Sequence, residues 1–162
     1  MSLKQFLAEE VKPALGCTEP VAVALAVARA REELVRAGGA PEGVEVFLSF
    51  NVYKNGATVG IPGTNGLQGN GIAAALALLS GRSEWGLEVL KGYGLEDAAA
   101  AKALLESGKV VISMDRKARG VYVRAMVIEF QRAGHACTGF IFRLEVVHSG
   151  EKVNFIDRPM GG

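Results

Sequence analysis

A single cysteine, Cys17, lies in the short segment 13–20 (PALGCTEP), directly before an apolar run that predicts a helix. Thr18 is the expected N-cap, and Pro20 suits the first helical turn. The positive end of a helix dipole favours thiolate over thiol, and thiolate is the form that binds metal or attacks electrophiles. This position can make the cysteine reactive, although on spacing alone a cysteine in a turn is somewhat more often structural than functional.

A second polar segment, 51–66, lies between a predicted strand and a helix of small residues. It is expected to be a long loop, and long loops rich in Gly, Asn and Thr are often functional. The backbone N–H groups of 63–66 could hold an anion, such as an amino-acid carboxylate, at the start of the next helix. The alternative is a plain glycine-rich connection that ends in a helix cap.

Taken together, these segments resemble the amino-terminal half of the L-cysteine desulfidase family, which is related to the iron–sulfur L-serine dehydratases. The resemblance rests on 13–20, on 51–55 (NVYKN) and on 59–64 (VGIPGT), in that order, and it covers roughly the whole chain. It implies a lyase that eliminates sulfide or water from L-cysteine or L-serine and leaves pyruvate and ammonia. It also implies a four-iron four-sulfur cluster with one open iron as the cofactor.

The same resemblance implies roles for individual residues. Cys17 matches the family's amino-terminal cluster cysteine and is the implied metal ligand. Lys54 and Asn55 match a Lys-Asn pair of the family, and Glu19 is implied to orient a substrate amine. The implied substrate-binding residues are Lys54, Asn55, Gly63, Thr64 and Glu19. For Glu19, the alternative is a carboxylate that only favours the start of a helix.

The chain is expected to bind no cluster and to be inactive by itself. A cubane cluster usually needs three or four ligands, and Cys17 supplies one. The other cysteine, Cys137, lies in a predicted strand and is expected to be a half-buried sheet residue. The resemblance places the remaining ligands in a C-terminal half or partner subunit. We therefore expect a fragment, a split subunit or a remnant of such an enzyme.

The composition is typical of a globular chain, with 49% hydrophobic residues, 22% charged residues and a net charge of +1. The basic residues are scattered, apart from a small group at 116–119, so no nucleic-acid partner is expected. The longest apolar run, 21–28, is far shorter than the roughly 20 residues of a membrane span, so no membrane partner is expected. A cytoplasmic protein is the simplest interpretation, and two distant cysteines indicate no disulfide framework.

Hydrophobic periodicity predicts an α+β fold. Helices are expected at 18–37, 71–79, 84–91 and 95–107, and strands at 44–50, 110–114, 121–130, 136–147 and 152–156. The last four strands, joined by glycine-containing turns, predict an antiparallel meander. We therefore expect a helical segment, 1–40, that carries the Cys17 turn, followed by a small α+β domain, 41–162, whose mainly antiparallel sheet is covered by helices.

Two other functions stay open on the sequence. The chain could bind a small amino acid as a regulatory module without chemistry. It could instead be a structural domain whose apolar helix drives dimerisation, so that a homo-oligomer would form.

Overall fold

The computed structural model describes residues 17–129, 138–146 and 156–159. Cys137 and the first part of the expected last strand, 152–155, lie outside the described residues. The helices are α1 (Thr18–Arg36), α2 (Phe50–Gly56), α3 (Asn70–Ser80) and α4 (Leu95–Glu106), with a 3-10 helix at Ser83–Glu88. The strands are β1 (Gly43–Leu48), β2 (Val110–Met114), β3 (Val121–Glu129), β4 (Thr138–Val146) and β5 (Ile156–Pro159). This arrangement confirms the predicted α+β class.

The five strands form one mixed sheet in the order β2-β1-β3-β4-β5. β1 runs parallel to β2, and the other neighbouring pairs are antiparallel. Val44 is paired with Val110 on one side and with Val127 on the other. The expected meander from β2 to β3 is therefore wrong, because β1 lies between these strands. The helices between β1 and β2 return the chain to the same end of the sheet, which makes that pair parallel.

The core lies between one face of this sheet and two helices. Alternate residues of the central strands, Val46 and Ala125 among them, are fully buried on this face. α3 covers β1 and β2, α1 covers β3 and β4, and the two helices pack against each other. Gly81 permits their close approach, since a Cβ there would lie 2.8 Å from the Cβ of Ala28. Within the described residues, no helix has both the length and the apolar character that crossing a membrane requires.

Two segments differ from the expected local structure. The predicted loop at 51–66 begins with the helix α2, whose inner side buries Val52 and Gly56 against the fold. The predicted helix at 84–91 is instead a 3-10 helix, and Gly86 interrupts it with a φ of 52°. α2 carries residues of weak helix propensity and is held by its buried side, whereas in the second segment the backbone of Gly86 breaks a regular α-helix.

Candidate functional site

Cys17 is the N-cap of α1, with φ −74° and ψ 145°, and its side chain is exposed. The predicted N-cap, Thr18, is instead the first helical residue. The Thr18 hydroxyl does not cap a helix N–H group but donates to Glu19 Oε2 at 3.3 Å. The structure therefore places the sulfur at the end of the helix itself, one position closer than the sequence predicted.

The thiol of Cys17 donates a hydrogen bond to the Glu19 carboxylate, with 2.9 Å between Sγ and Oε2. This hydrogen bond raises the pKa of Cys17 above its ordinary value, and partial desolvation and the negative charge of Glu19 add to the rise. The Glu19 carboxylate therefore opposes the thiolate-favouring effect that was expected from the helix end, and the net direction is a raised pKa for Cys17. A full charge in hydrogen-bond contact outweighs the partial charge of the helix terminus.

Glu19 links the two sequence segments that carry the resemblance. Its carboxylate accepts hydrogen bonds from Cys17 and Thr18, and the side chain of Asn55 on α2 lies close enough to help lower the pKa of Glu19. The bond from Cys17 is the main cause that lowers the pKa of Glu19, and partial burial opposes it. The structure thus brings the candidate residues Cys17, Glu19 and Asn55 into one cluster. The sequence placed Glu19 beside the cysteine but could not show the contact with α2, which was expected to be a loop.

The other predicted substrate-binding residues lie outside this cluster of hydrogen bonds. Lys54 is exposed on α2. Thr64 is only 3% exposed, and its hydroxyl donates to the carbonyl of Ile61 at 2.6 Å. Gly63 has a φ of 78°, and a Cβ there would lie 2.1 Å from the carbonyl oxygen of Tyr93. Gly63 and Thr64 therefore shape their loop, and their contact with a substrate stays a prediction.

The loop before α3 closes on itself. Ile61 N donates to Leu67 O at 2.9 Å, and Gly69 N donates to Val59 O at 3.0 Å. α3 begins at Asn70, so the backbone N–H groups of 63–66 do not lie at the start of that helix. The expected anion cradle at the helix start is wrong in this respect, because the closed loop separates the glycine-rich turn from the helix.

Asn70, which the sequence analysis did not single out, holds α2 against α3. It is 4% exposed, and its Nδ2 donates to the carbonyls of Val52 at 3.0 Å and Tyr53 at 3.4 Å. Its Oδ1 is buried without a hydrogen-bond partner and lies against Gly56. Its position, a polar residue at the start of an otherwise apolar helix, was the sequence signal that could have identified Asn70. By fixing α2, Asn70 also fixes Asn55 beside Glu19.

The donor set at Cys17 is too small for a cluster. Among the described residues, no group of three or more His, Cys, Asp or Glu side chains is placed to hold a metal ion. Cys17 and Glu19 offer two donors, whereas a four-iron cluster usually takes three or four protein ligands. These residues therefore do not fit the complete cofactor by themselves.

Comparison with known proteins shows similarity to proteins named UPF0597. One from Nitratidesulfovibrio vulgaris is 42% identical over 167 residues, which cover 100% of this chain and 36% of that protein. One from Kosmotoga olearia is 47% identical over 125 residues, or 77% of this chain and 29% of the relative. The UPF0597 protein YhaM of Escherichia coli is 53% identical over 106 residues, or 65% of this chain and 23% of the relative.

The chain thus spans about a third or less of the length of these relatives. The names of the relatives state no reaction. No family model and no solved structure matches the chain.

Proposed function

We propose that this chain, similar to the UPF0597 proteins, supplies one part of an iron–sulfur-dependent lyase. The reaction is the elimination of sulfide from L-cysteine, or of water from L-serine, to give pyruvate and ammonia. The chain is inactive alone in this proposal, because a second polypeptide segment must supply the other cluster ligands. A reducing cytoplasm suits a site that depends on a free thiol.

The observation that carries the proposal is the hydrogen bond from the Cys17 thiol to the Glu19 carboxylate, with the Asn55 side chain of α2 close to the same carboxylate. Cys17 and Glu19 lie in one of the segments that carry the resemblance and Asn55 lies in another, so the two segments meet beside an exposed thiol. Two motifs of one family that meet at a potential iron ligand favour a shared site over two unrelated structural features.

The geometry refines the proposed roles. Cys17 is the iron ligand that this chain contributes. Asn55 helps to position Glu19, since its side chain lies close to the carboxylate. Lys54 carries an exposed ammonium group, which suits the carboxylate of an amino-acid substrate. Gly63 and Thr64 contribute through the shape of their closed loop rather than through free polar atoms.

Anaerobic reconstitution tests the proposal. The chain is mixed with iron, sulfide and the part of the Nitratidesulfovibrio vulgaris relative that lies outside the match, and bound iron and pyruvate are measured. We expect iron uptake and pyruvate formation with the parent chain, and loss of both with Cys17→Ser. Val35→Ser, at an exposed position near the far end of α1, is the matched control and should behave like the parent. Equal iron and pyruvate with Cys17→Ser would show that Cys17 is not a ligand.

A further inference from the structure

The outer side of α2 exposes two aromatic side chains close to the Cys17 site. Phe50 is 57% exposed and Tyr53 is 41% exposed, and they lie one helical turn apart. Lys54 is exposed on the same side, while Val52 and Gly56 are buried on the opposite side. We call Phe50, Tyr53 and Lys54 the α2 face. Protein–protein interfaces are enriched in aromatic residues, so two neighbouring exposed rings favour an interaction surface here.

A shallow hollow adjoins the α2 face at Tyr53. It has a volume of about 250 Å³ and is lined by Tyr53, Ala57, Leu105 and Ile112, together with residues 68–71. Small-molecule sites usually enclose roughly 300–1,000 Å³, so this hollow is better matched to one apolar side chain of a polypeptide. The hollow and the exposed rings together offer a place for an anchoring residue.

The α2 face is continuous with the candidate site. Asn55, also exposed on α2, lies close to Glu19, and Glu19 accepts a hydrogen bond from the exposed Cys17. A polypeptide that covers the α2 face would therefore also lie close to the sulfur of Cys17. The relatives contain such additional chain, since the match covers only 36% of the Nitratidesulfovibrio vulgaris protein and 29% of the Kosmotoga olearia protein.

We infer that the α2 face is the docking surface for the polypeptide that corresponds to the unmatched part of these relatives. Docking buries Phe50 and Tyr53, places an apolar side chain in the hollow and brings thiolates toward Cys17. The delivery of thiolates rests on the proposed function. The docking itself does not, because it depends on the aromatic face and not on iron.

Binding without iron tests the inference. The unmatched part of the Nitratidesulfovibrio vulgaris relative is produced separately, and its dissociation constant for the full chain is measured by calorimetry. Phe50→Ser and Tyr53→Ser should each weaken binding by about tenfold or more, because aromatic anchors dominate interface energies. Leu95→Ser is the matched control, since Leu95 is 65% exposed at the start of α4, and it should change the dissociation constant by less than about twofold. Far-ultraviolet circular dichroism checks that each variant is folded.

Several results would overturn the inference: no binding by the parent chain, undiminished binding by Phe50→Ser and Tyr53→Ser, or equal weakening by Leu95→Ser. Self-association of the parent that Phe50→Ser abolishes, without binding of the second polypeptide, would assign the α2 face to a second copy instead. Docking through the α2 face without iron uptake or pyruvate formation would refute the proposed function and leave this inference standing. Pyruvate formation with undiminished binding by both serine variants would refute this inference and leave the proposed function standing.

Discussion

Replacing Gly56 by alanine should destabilise the protein only while Asn70 is present. A Cβ atom at position 56 would lie 2.1 Å from Asn70 Oδ1 and 2.7 Å from both Cγ and Nδ2. The Asn70 amide cannot swing aside without losing its bonds to the carbonyls of Val52 and Tyr53. Overpacking costs about 1–3 kcal/mol, and alanine gains up to about 1 kcal/mol over glycine in a helix. We therefore expect Gly56→Ala to lower the free energy of unfolding by about 1–2 kcal/mol.

The same substitution should have the opposite sign once the asparagine is removed. Asn70→Ala alone loses a buried hydrogen bond and leaves a space, which costs about 1–3 kcal/mol. In that background the new methyl group at position 56 fills part of the space, so only the gain in helix propensity remains, up to about 1 kcal/mol. The two sites should therefore be coupled by about 2–3 kcal/mol, at the upper end of values for residues in contact.

Urea unfolding of the parent, the two single variants and the double variant measures this coupling, with the helical circular dichroism signal as the probe. Gly60→Ala is the control, since a Cβ there would meet no atom within 4 Å and the residue does not have a positive φ. It should change the free energy of unfolding by less than about 0.5 kcal/mol. Additive effects of Gly56→Ala and Asn70→Ala within about 0.5 kcal/mol would refute the packing described for α2 on α3.

Two other substitutions probe the candidate site. Glu19→Gln should lower the pKa of Cys17, because it removes the charged acceptor of the thiol proton. Alkylation of Cys17 by iodoacetamide at pH 8 should then be faster than in the parent and in the control Glu96→Gln. Peptide mass spectrometry follows the alkylation. An unchanged rate would contradict the contact. Thr64→Val should lower the melting temperature by about 2–8 °C, because it loses a buried hydrogen bond worth about 1–2 kcal/mol. Thr64→Ser keeps the hydroxyl and is the control. Equal stability of these two variants would count against the loop role of Thr64.

Much of the helical structure could be predicted from local pattern. The apolar run 21–28 and the glycine pair at 38–39 predicted a helix at 18–37, and α1 is Thr18–Arg36. α4 likewise ends one residue before the predicted 107. In both helices the periodic positions and the end signals agree, and such consistency makes a local prediction reliable.

The placement of β1 and the formation of α2 could not be predicted in this way. β1 pairs with strands that are distant in sequence, and no local signal states which edge they take. α2 contains Asn51, Asn55 and Gly56, which are poor helix formers, and Asn70 and the buried Val52 hold it in place. The same limit applies to the site, because the contact of Asn55 with Glu19 exists only once α2 is folded and docked. The pKa of Cys17 likewise does not follow from the helix dipole alone, because the Glu19 carboxylate raises it.

The position of β1 inside the sheet sets the order in which this chain can become stable. β1 is made early, yet its two partners, β2 and β3, are separated from it by three α-helices and a 3-10 helix and follow much later in the chain. During synthesis, one hydrogen-bonding edge of β1 therefore stays unpaired until β2, which begins at Val110, is made. The other edge stays unpaired until β3, which begins at Val121, is made. Such long-range pairing is slow to form, and an unpaired apolar strand readily pairs with other chains. A shorter product that stops before β3 would carry the complete candidate cluster at Cys17 and still be prone to aggregate, because β1 would lack one of its two neighbouring strands.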